Sequence, residues 1–276
     1  MSDVSACLLD SRSLAAGEGW SLTEFVCRAG PEDRPFEERH DGFSVAAVLD
    51  GQFAYRSERG AAYLAPGALL TGNSGACFRC AHEHGFGDRC VSLNFSAELA
   101  GEAAAAVGRS RFAFEASSLP PSDATLPIVA RFAAFAAAPE HGLGEALAFR
   151  TLDRLMAGLA GGGRDAAPQA SATRRVAAAI RLINEDPADD HGLESLARLS
   201  GLSRYHFLRL FRRATGATPR QYLIQARLRR AAERLVASRQ PITGVALDSG
   251  FGDISTFNRR FRSVFGVSPR RFRSQA

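Results

Sequence analysis

The stretch Leu196-Ala-Arg-Leu-Ser-Gly-Leu-Ser203 holds a helix end, a tight turn and a helix start. Gly201 ends a short helix over Leu193–Ser200, because glycine enters the left-handed region without the clash that a Cβ brings. Ser203 stands where an N-cap is needed, and a second helix runs on to about Thr215, where Gly216 stops it. Within that helix Phe207, Leu210, Phe211 and Ala214 fall at i, i+3, i+4 and i+7, a stripe suited to burial. The opposite face carries Arg204, Tyr205, Arg209, Arg212 and Arg213. Two short helices, a glycine turn and a basic outward face describe a helix-turn-helix, whose second helix fits a DNA major groove.

Working outward, the same pattern returns. Ala197, Ser200 and Gly201 recur 49 residues later as Ala246, Ser249 and Gly250. Beyond the turn the offset is 50, pairing Phe207 with Phe257, Arg209 with Arg259, Phe211 with Phe261, Gly216 with Gly266 and Pro219 with Pro269. The second copy reads as a helix over Ile242–Ser249, a turn at Gly250-Phe251-Gly252, and a second helix over Asp253–Phe265. Its outward side offers Ile254, Ser255, Thr256, Asn258 and Arg259. Between the copies, Thr218-Pro219 caps and opens a connecting helix that runs to about Ser238. A rigid connector would hold two reading heads apart, so that both enter major-groove segments about one turn (roughly 34 Å) apart on one DNA face.

The charge divides along the chain. Of 276 residues none is lysine, and all 34 basic residues are arginine. Residues 1–173 hold 14 Arg against 21 acids, net −7, whereas residues 174–276 hold 20 Arg against 8 acids, net +12. Such asymmetry is expected where one part meets a polyanion, although a solvated basic surface would give it too. No apolar run is long enough for a membrane-spanning helix, so no membrane is expected. The start, MSDVSACLLD, has neither a basic n-region nor a long apolar h-region, so secretion is not expected, and with five cysteines the expectation is a reduced, cytoplasmic protein.

Residues 174–276 resemble the double helix-turn-helix DNA-binding domain of the AraC/XylS family of bacterial transcription regulators. Besides the octapeptide, the resemblance rests on Phe207-Leu-Arg-Leu-Phe-Arg-Arg213, Gly216-Ala-Thr-Pro219, Ser249-Gly-Phe-Gly-Asp253, Phe257-Asn-Arg-Arg-Phe261 and Gly266-Val-Ser-Pro269. It implies base contacts from Tyr205, Leu208 and Arg209 in the first head. In the second it implies Ile254, Ser255, Thr256 and Arg259, with Asn258 adjacent. Arg204, Arg212, Arg213, Arg262 and Arg270 complete the expected DNA-binding set, the last four gripping phosphate, which positions without specifying. It also implies double-stranded DNA as partner, a homodimer, a small-molecule or metal effector, and RNA polymerase if the outcome is activation. The protein would not be an enzyme.

The front half reads as short strands over 40–95, punctuated by Asp50-Gly51, Pro66-Gly67 and Gly72-Asn73, followed by helices over Ala124–Ala138 and Glu145–Leu159. Gly51-Gln-Phe-Ala-Tyr-Arg56 and Leu64-Ala-Pro-Gly-Ala-Leu-Leu70 resemble the cupin-like β-barrel that many family members carry for effector binding and dimerisation. The expected class is therefore α+β with two domains. A cupin-like domain over 1–160 precedes a linker at 161–173 and an all-α double helix-turn-helix over 174–276. The stripe in Glu145–Leu159 suits pairing between subunits or packing on its own barrel.

One segment stands apart, Cys77-Phe-Arg-Cys80-Ala-His82-Glu-His84-Gly-Phe-Gly-Asp88-Arg-Cys90. Thiolate and imidazole suit Zn²⁺ or another transition metal, and Cys80, His82, His84 and Cys90 could complete a tetrahedron. His82-x-His84-x₃-Asp88 approaches a cupin metal motif. The alternatives are a redox-sensing cysteine pair and a hairpin of buried thiols with no ligand. A cupin-type metalloprotein or metal/redox sensor built on Cys77–Cys90 is the competing function, and it leaves the repeat unexplained.

Overall fold

β4 (Phe43–Gly51) shows how the front half is layered. Alternate side chains of a strand face opposite ways, and here both faces are buried, so the strand reads as a continuous apolar run. Val45 and Ala47 enter one core, while Ala46 and Val48 enter another. In the computed structural model, which describes residues 8–35, 37–82, 87–139, 143–158 and 170–274, β4 lies inside a six-stranded antiparallel sheet. Its companions are β1 (Leu9–Gly17), β2 (Trp20–Cys27), β7 (Leu69–Gly72), β9 (Asp88–Phe95) and β10 (Ser118–Leu119), in the order β1-β2-β9-β4-β7-β10. A second sheet joins β3 (Glu37–Arg39), β8 (Cys77–Ala81), β5 (Phe53–Ser57) and β6 (Gly60–Leu64), in the order β3-β8-β5-β6.

Three helices, α1 (Ala97–Ala106), α2 (Leu126–Ala137) and α3 (Leu143–Met156), cover the other face of the six-stranded sheet. The stripe of α3, with Leu147, Leu152, Leu155 and Met156, is buried against its own sheet and helices. Packing on its own domain thus accounts for that stripe. On β9 the alternation sends Val91, Leu93 and Phe95 to the helices and leaves Cys90, Ser92 and Asn94 facing the space between the sheets.

The back third is helical throughout its described length. α4 (Ala170–Glu185) starts inside the expected linker, of which residues 161–169 lie outside the described residues. α5 (Leu193–Leu199) and α6 (Arg204–Thr215) form the first helix-turn-helix, α8 (Ile242–Asp248) and α9 (Ile254–Phe265) the second, and α7 (Pro219–Ala237) connects them. α10 (Pro269–Ser274) closes the chain's last described turn. The caps follow the sequence. Ser203 accepts from the His206 amide, Thr218 and Gln221 form a capping box, and Gly216 and Gly266 take φ of 72° and 75° at the helix ends. Asp253, read above as the first helical residue, is instead the N-cap of α9, accepting from the Thr256 amide at 2.7 Å.

Each head has its own core. Phe207 and Phe211 pack with Ile180, Ile183 and Tyr222, and Phe257 and Phe261 pack with Leu228, Leu235, Val245 and Phe272. Each such side chain contributes about 1.5–3 kcal/mol by leaving water, so the repeat is held by burial and its outer faces are left to polar groups.

Candidate nucleic-acid interface and inner cavity

The residues expected to meet DNA lie on the outer faces of α6, α9 and α10. Arg204, Arg209, Arg212, Arg213, Ser255, Asn258, Arg259, Arg262 and Arg270 are exposed, and Tyr205 is 67% exposed. Arg209 sets its guanidinium 5.9 Å from the Tyr205 ring centroid, a cation–π contact that orients both. Leu208 and Thr256 are half-buried and line one groove between the heads, of about 640 Å³, together with Arg220 and Arg260. Those two exposed arginines lie outside the set expected from the sequence. Ile254 leans on the second head's core, which limits its reach. Arg212 and Arg262 lie in the last turns of their helices, where a cation also complements the helix dipole.

Arg227 ties the two heads together. Its guanidinium donates to the carbonyls of Pro187 at 2.7 Å and Asp189 at 3.0 Å, and its Nε would lie 2.7 Å from a Cβ added at Gly250. Behind the heads, α7 is docked on the front half. Leu126 and Ala130 of α2 join the core of the second head, and Tyr63 and Ala65 join that of the first. Arg229, 7% exposed, donates to the Pro66 carbonyl at 2.8 Å and to Asn184 Oδ1 at 2.6 Å, and Tyr222 donates to the same Pro66 carbonyl at 3.3 Å. Burial of a charged group is costly unless its donors are satisfied, and here the front half supplies one of the acceptors.

Between the two sheets lies a cavity of about 440 Å³. One part of its wall is apolar, with Phe53, Phe78 and Leu70. His40 stacks on Phe78 at 4.2 Å, its Nε2 lies 3.0 Å from the Tyr55 hydroxyl, and burial lowers its pKa to about 4. The other part is ionisable. His82 donates from Nε2 to Asp88 Oδ2 at 2.6 Å, and Cys90 donates to Asp88 Oδ1 at 3.3 Å. Burial works against the His82 cation, but the hydrogen bonds it donates to Asp88 and Cys27, together with their negative charges, outweigh it and raise its pKa to about 9. Burial, helped by the Asp88 charge, pushes the Cys80 and Cys90 thiols up, and the same causes raise Glu38.

Ligand atoms of Cys27, His82 and Asp88 lie within 4.8 Å of one another. Of the four metal ligands expected from the sequence, His82 belongs to this trio. Cys80 and Cys90 line the same cavity outside it, and His84 lies outside the described residues. Cys27 was missed because it is 61 residues from Asp88 in the chain, and only the antiparallel pairing of β2 with β9 sets the two opposite each other.

A family model described as a helix-turn-helix domain matches residues 196–275. An uncharacterised HTH-type transcriptional regulator from Haemophilus influenzae is 32% identical over 100 residues, which are 36% of this chain and 34% of that protein. The RCS-specific HTH-type transcriptional activator RclR of Escherichia coli is 33% identical over 101 residues, 37% of this chain and 36% of its own. The chain thus spans about a third of the length of these two relatives. Regulatory protein SoxS of Salmonella typhimurium is 34% identical over 94 residues, 34% of this chain and 88% of SoxS. With the doubled helix-turn-helix, its caps and its open basic faces, this likeness identifies the line of descent: the chain belongs to the AraC/XylS family of transcription regulators.

Proposed function

We propose that the protein is a sequence-specific DNA-binding transcription regulator, and not an enzyme, whose two heads read adjacent major-groove segments of one duplex. The observation that carries this reading is the repeat itself. Two equivalent helices, α6 and α9, are each capped by a side chain at the start and a glycine at the end, each buries phenylalanines on one side, and each leaves arginines open to solvent. Arg209 and Arg259 hold equivalent positions and suit bidentate contact with guanine, while Arg212, Arg213, Arg262 and Arg270 suit phosphate.

In this reading the front half is an effector domain, cupin-like in character, and the inner cavity receives a small molecule or metal ion. Signal passes through the turn between β6 and β7. Leu70 in β7 lines the cavity, and Pro66 just before it accepts hydrogen bonds from Arg229 and Tyr222 on the connecting helix. A shift of that turn changes how α7 holds the heads. The working form is a homodimer in the cytoplasm, and as an activator it would engage RNA polymerase. No helix among the described residues is long and apolar enough to cross a membrane.

Selection of bound sequences from random duplex DNA tests the reading. It predicts two conserved blocks about one turn apart, and recovery of unrelated sequences with equal affinity would refute it.

A further inference from the structure

We propose that Cys27, His82 and Asp88 form a binding site for a transition-metal ion of the Zn²⁺ type, with one coordination position open to the inner cavity. Three separate segments converge here. Cys27 ends β2, Asp88 opens the adjacent strand β9 directly opposite it, and His82 follows β8 in the other sheet. Their ligand atoms lie within 4.8 Å of one another, near enough for side-chain rotation to gather them around a single ion. The donor set is one thiolate, one imidazole and one carboxylate. That mixture suits a borderline ion, whereas Mg²⁺ and Ca²⁺ favour oxygen alone.

The surroundings support the assignment. The side chains of His82 and Asp88 are 3% and 9% exposed, so neither is a loose surface group. The Ala29 amide lies 3.5 Å from Cys27 Sγ, and Cys90 donates to the second oxygen of Asp88, so two of the three ligands have a neighbour that orients them. All three ligands line the cavity, hence the fourth position faces it. Three protein ligands and one open position allow a further molecule to bind through the ion. The proposal rests on reading the inner cavity as the effector site, but it uses none of the residues that read DNA, so failure of the metal site and failure of DNA recognition are told apart by separate tests.

The experiment uses the full chain, purified with chelator and titrated with Zn²⁺ and with Co²⁺ as a spectroscopic probe. One ion should bind per chain, with a thiolate-to-cobalt charge-transfer band. X-ray absorption of the zinc form should show one sulfur at about 2.3 Å and nitrogen or oxygen neighbours at about 2.0–2.2 Å. Cys27→Ser should abolish the charge-transfer band, and His82→Gln and Asp88→Asn should each weaken binding more than about tenfold. Cys77→Ser should change nothing. A folded wild-type chain that takes up no ion overturns the proposal, as does an ion whose affinity and spectrum survive Cys27→Ser. Where a variant fails to fold, the sulfur count of the wild-type zinc form decides, and two or more sulfurs overturn the assignment.

Discussion

The Nη1 of Arg229 donates to the carbonyl oxygen of Pro66 at 2.8 Å, so a buried guanidinium on the connecting helix is bonded to a turn of the front half. The heads and the cavity are therefore parts of one bonded structure. Arg229→Met keeps much of the buried stem but leaves Asn184 Oδ1 without this donor and Pro66 with Tyr222 alone. It should lower stability by about 1–3 kcal/mol in urea denaturation, while the preferred DNA sequence stays the same. Unchanged stability would mean that the bond contributes nothing.

Arg209→Ala and Arg259→Ala should each cost about 1–3 kcal/mol on the preferred DNA and relax preference at one position. Arg212→Ala should weaken preferred and random DNA alike and reduce the salt slope by about one. Binding measured at several salt concentrations on both DNAs separates the two kinds. An equal loss from all three would contradict the division between base and phosphate contacts.

The two turn glycines should respond differently to alanine. Gly201 takes φ of 61° with open space around it, and Gly250 takes φ of 87° with Ala188 Cα 2.8 Å and Arg227 Nε 2.7 Å from an added Cβ. Gly201→Ala should cost about 1–2 kcal/mol, the strain of a left-handed residue. Gly250→Ala adds overpacking against backbone and should cost about 2–4 kcal/mol in thermal or urea unfolding. Equal costs would show that the second turn is not clamped to the α4–α5 loop.

His40 should make the front half acid-sensitive. Its pKa is about 4 in the fold against 6.5 for the ordinary side chain, so between those values the unfolded chain binds the extra proton. The stabilisation is full above pH 6.5 and is lost as pH falls toward 4, about 3 kcal/mol in all. His40→Gln should flatten that part of the stability profile measured by denaturation from pH 7 to pH 4.5. A profile of unchanged slope would remove His40 as its source.

The helix-turn-helix units were legible because each depends on local signals: Gly201 and Gly216 as stops, Ser203 as a cap, and phenylalanines at helical spacing. A repeat at an offset of about 50 gave the second unit from the first. The front half was less legible, since β1 and β2 lie before the first turn signals, and the pairing of β2 with β9 is a long-range contact. The same distance hid Cys27. His82 and Asp88 stood in one segment, but their common partner came from a strand that no local pattern connects to them. The docking of Arg229 on Pro66 was equally out of reach, because nothing near an arginine in a helix tells which carbonyl it will meet.

Hydroxyl-radical footprinting of the full chain on its selected DNA tests the two-headed reading most directly. It should show two protected segments on one face of the duplex, centred about 10 base pairs apart, with Arg209→Ala altering sequence preference in one and Arg259→Ala in the other. A single protected segment whose sequence preference depends on only one of these arginines would contradict it.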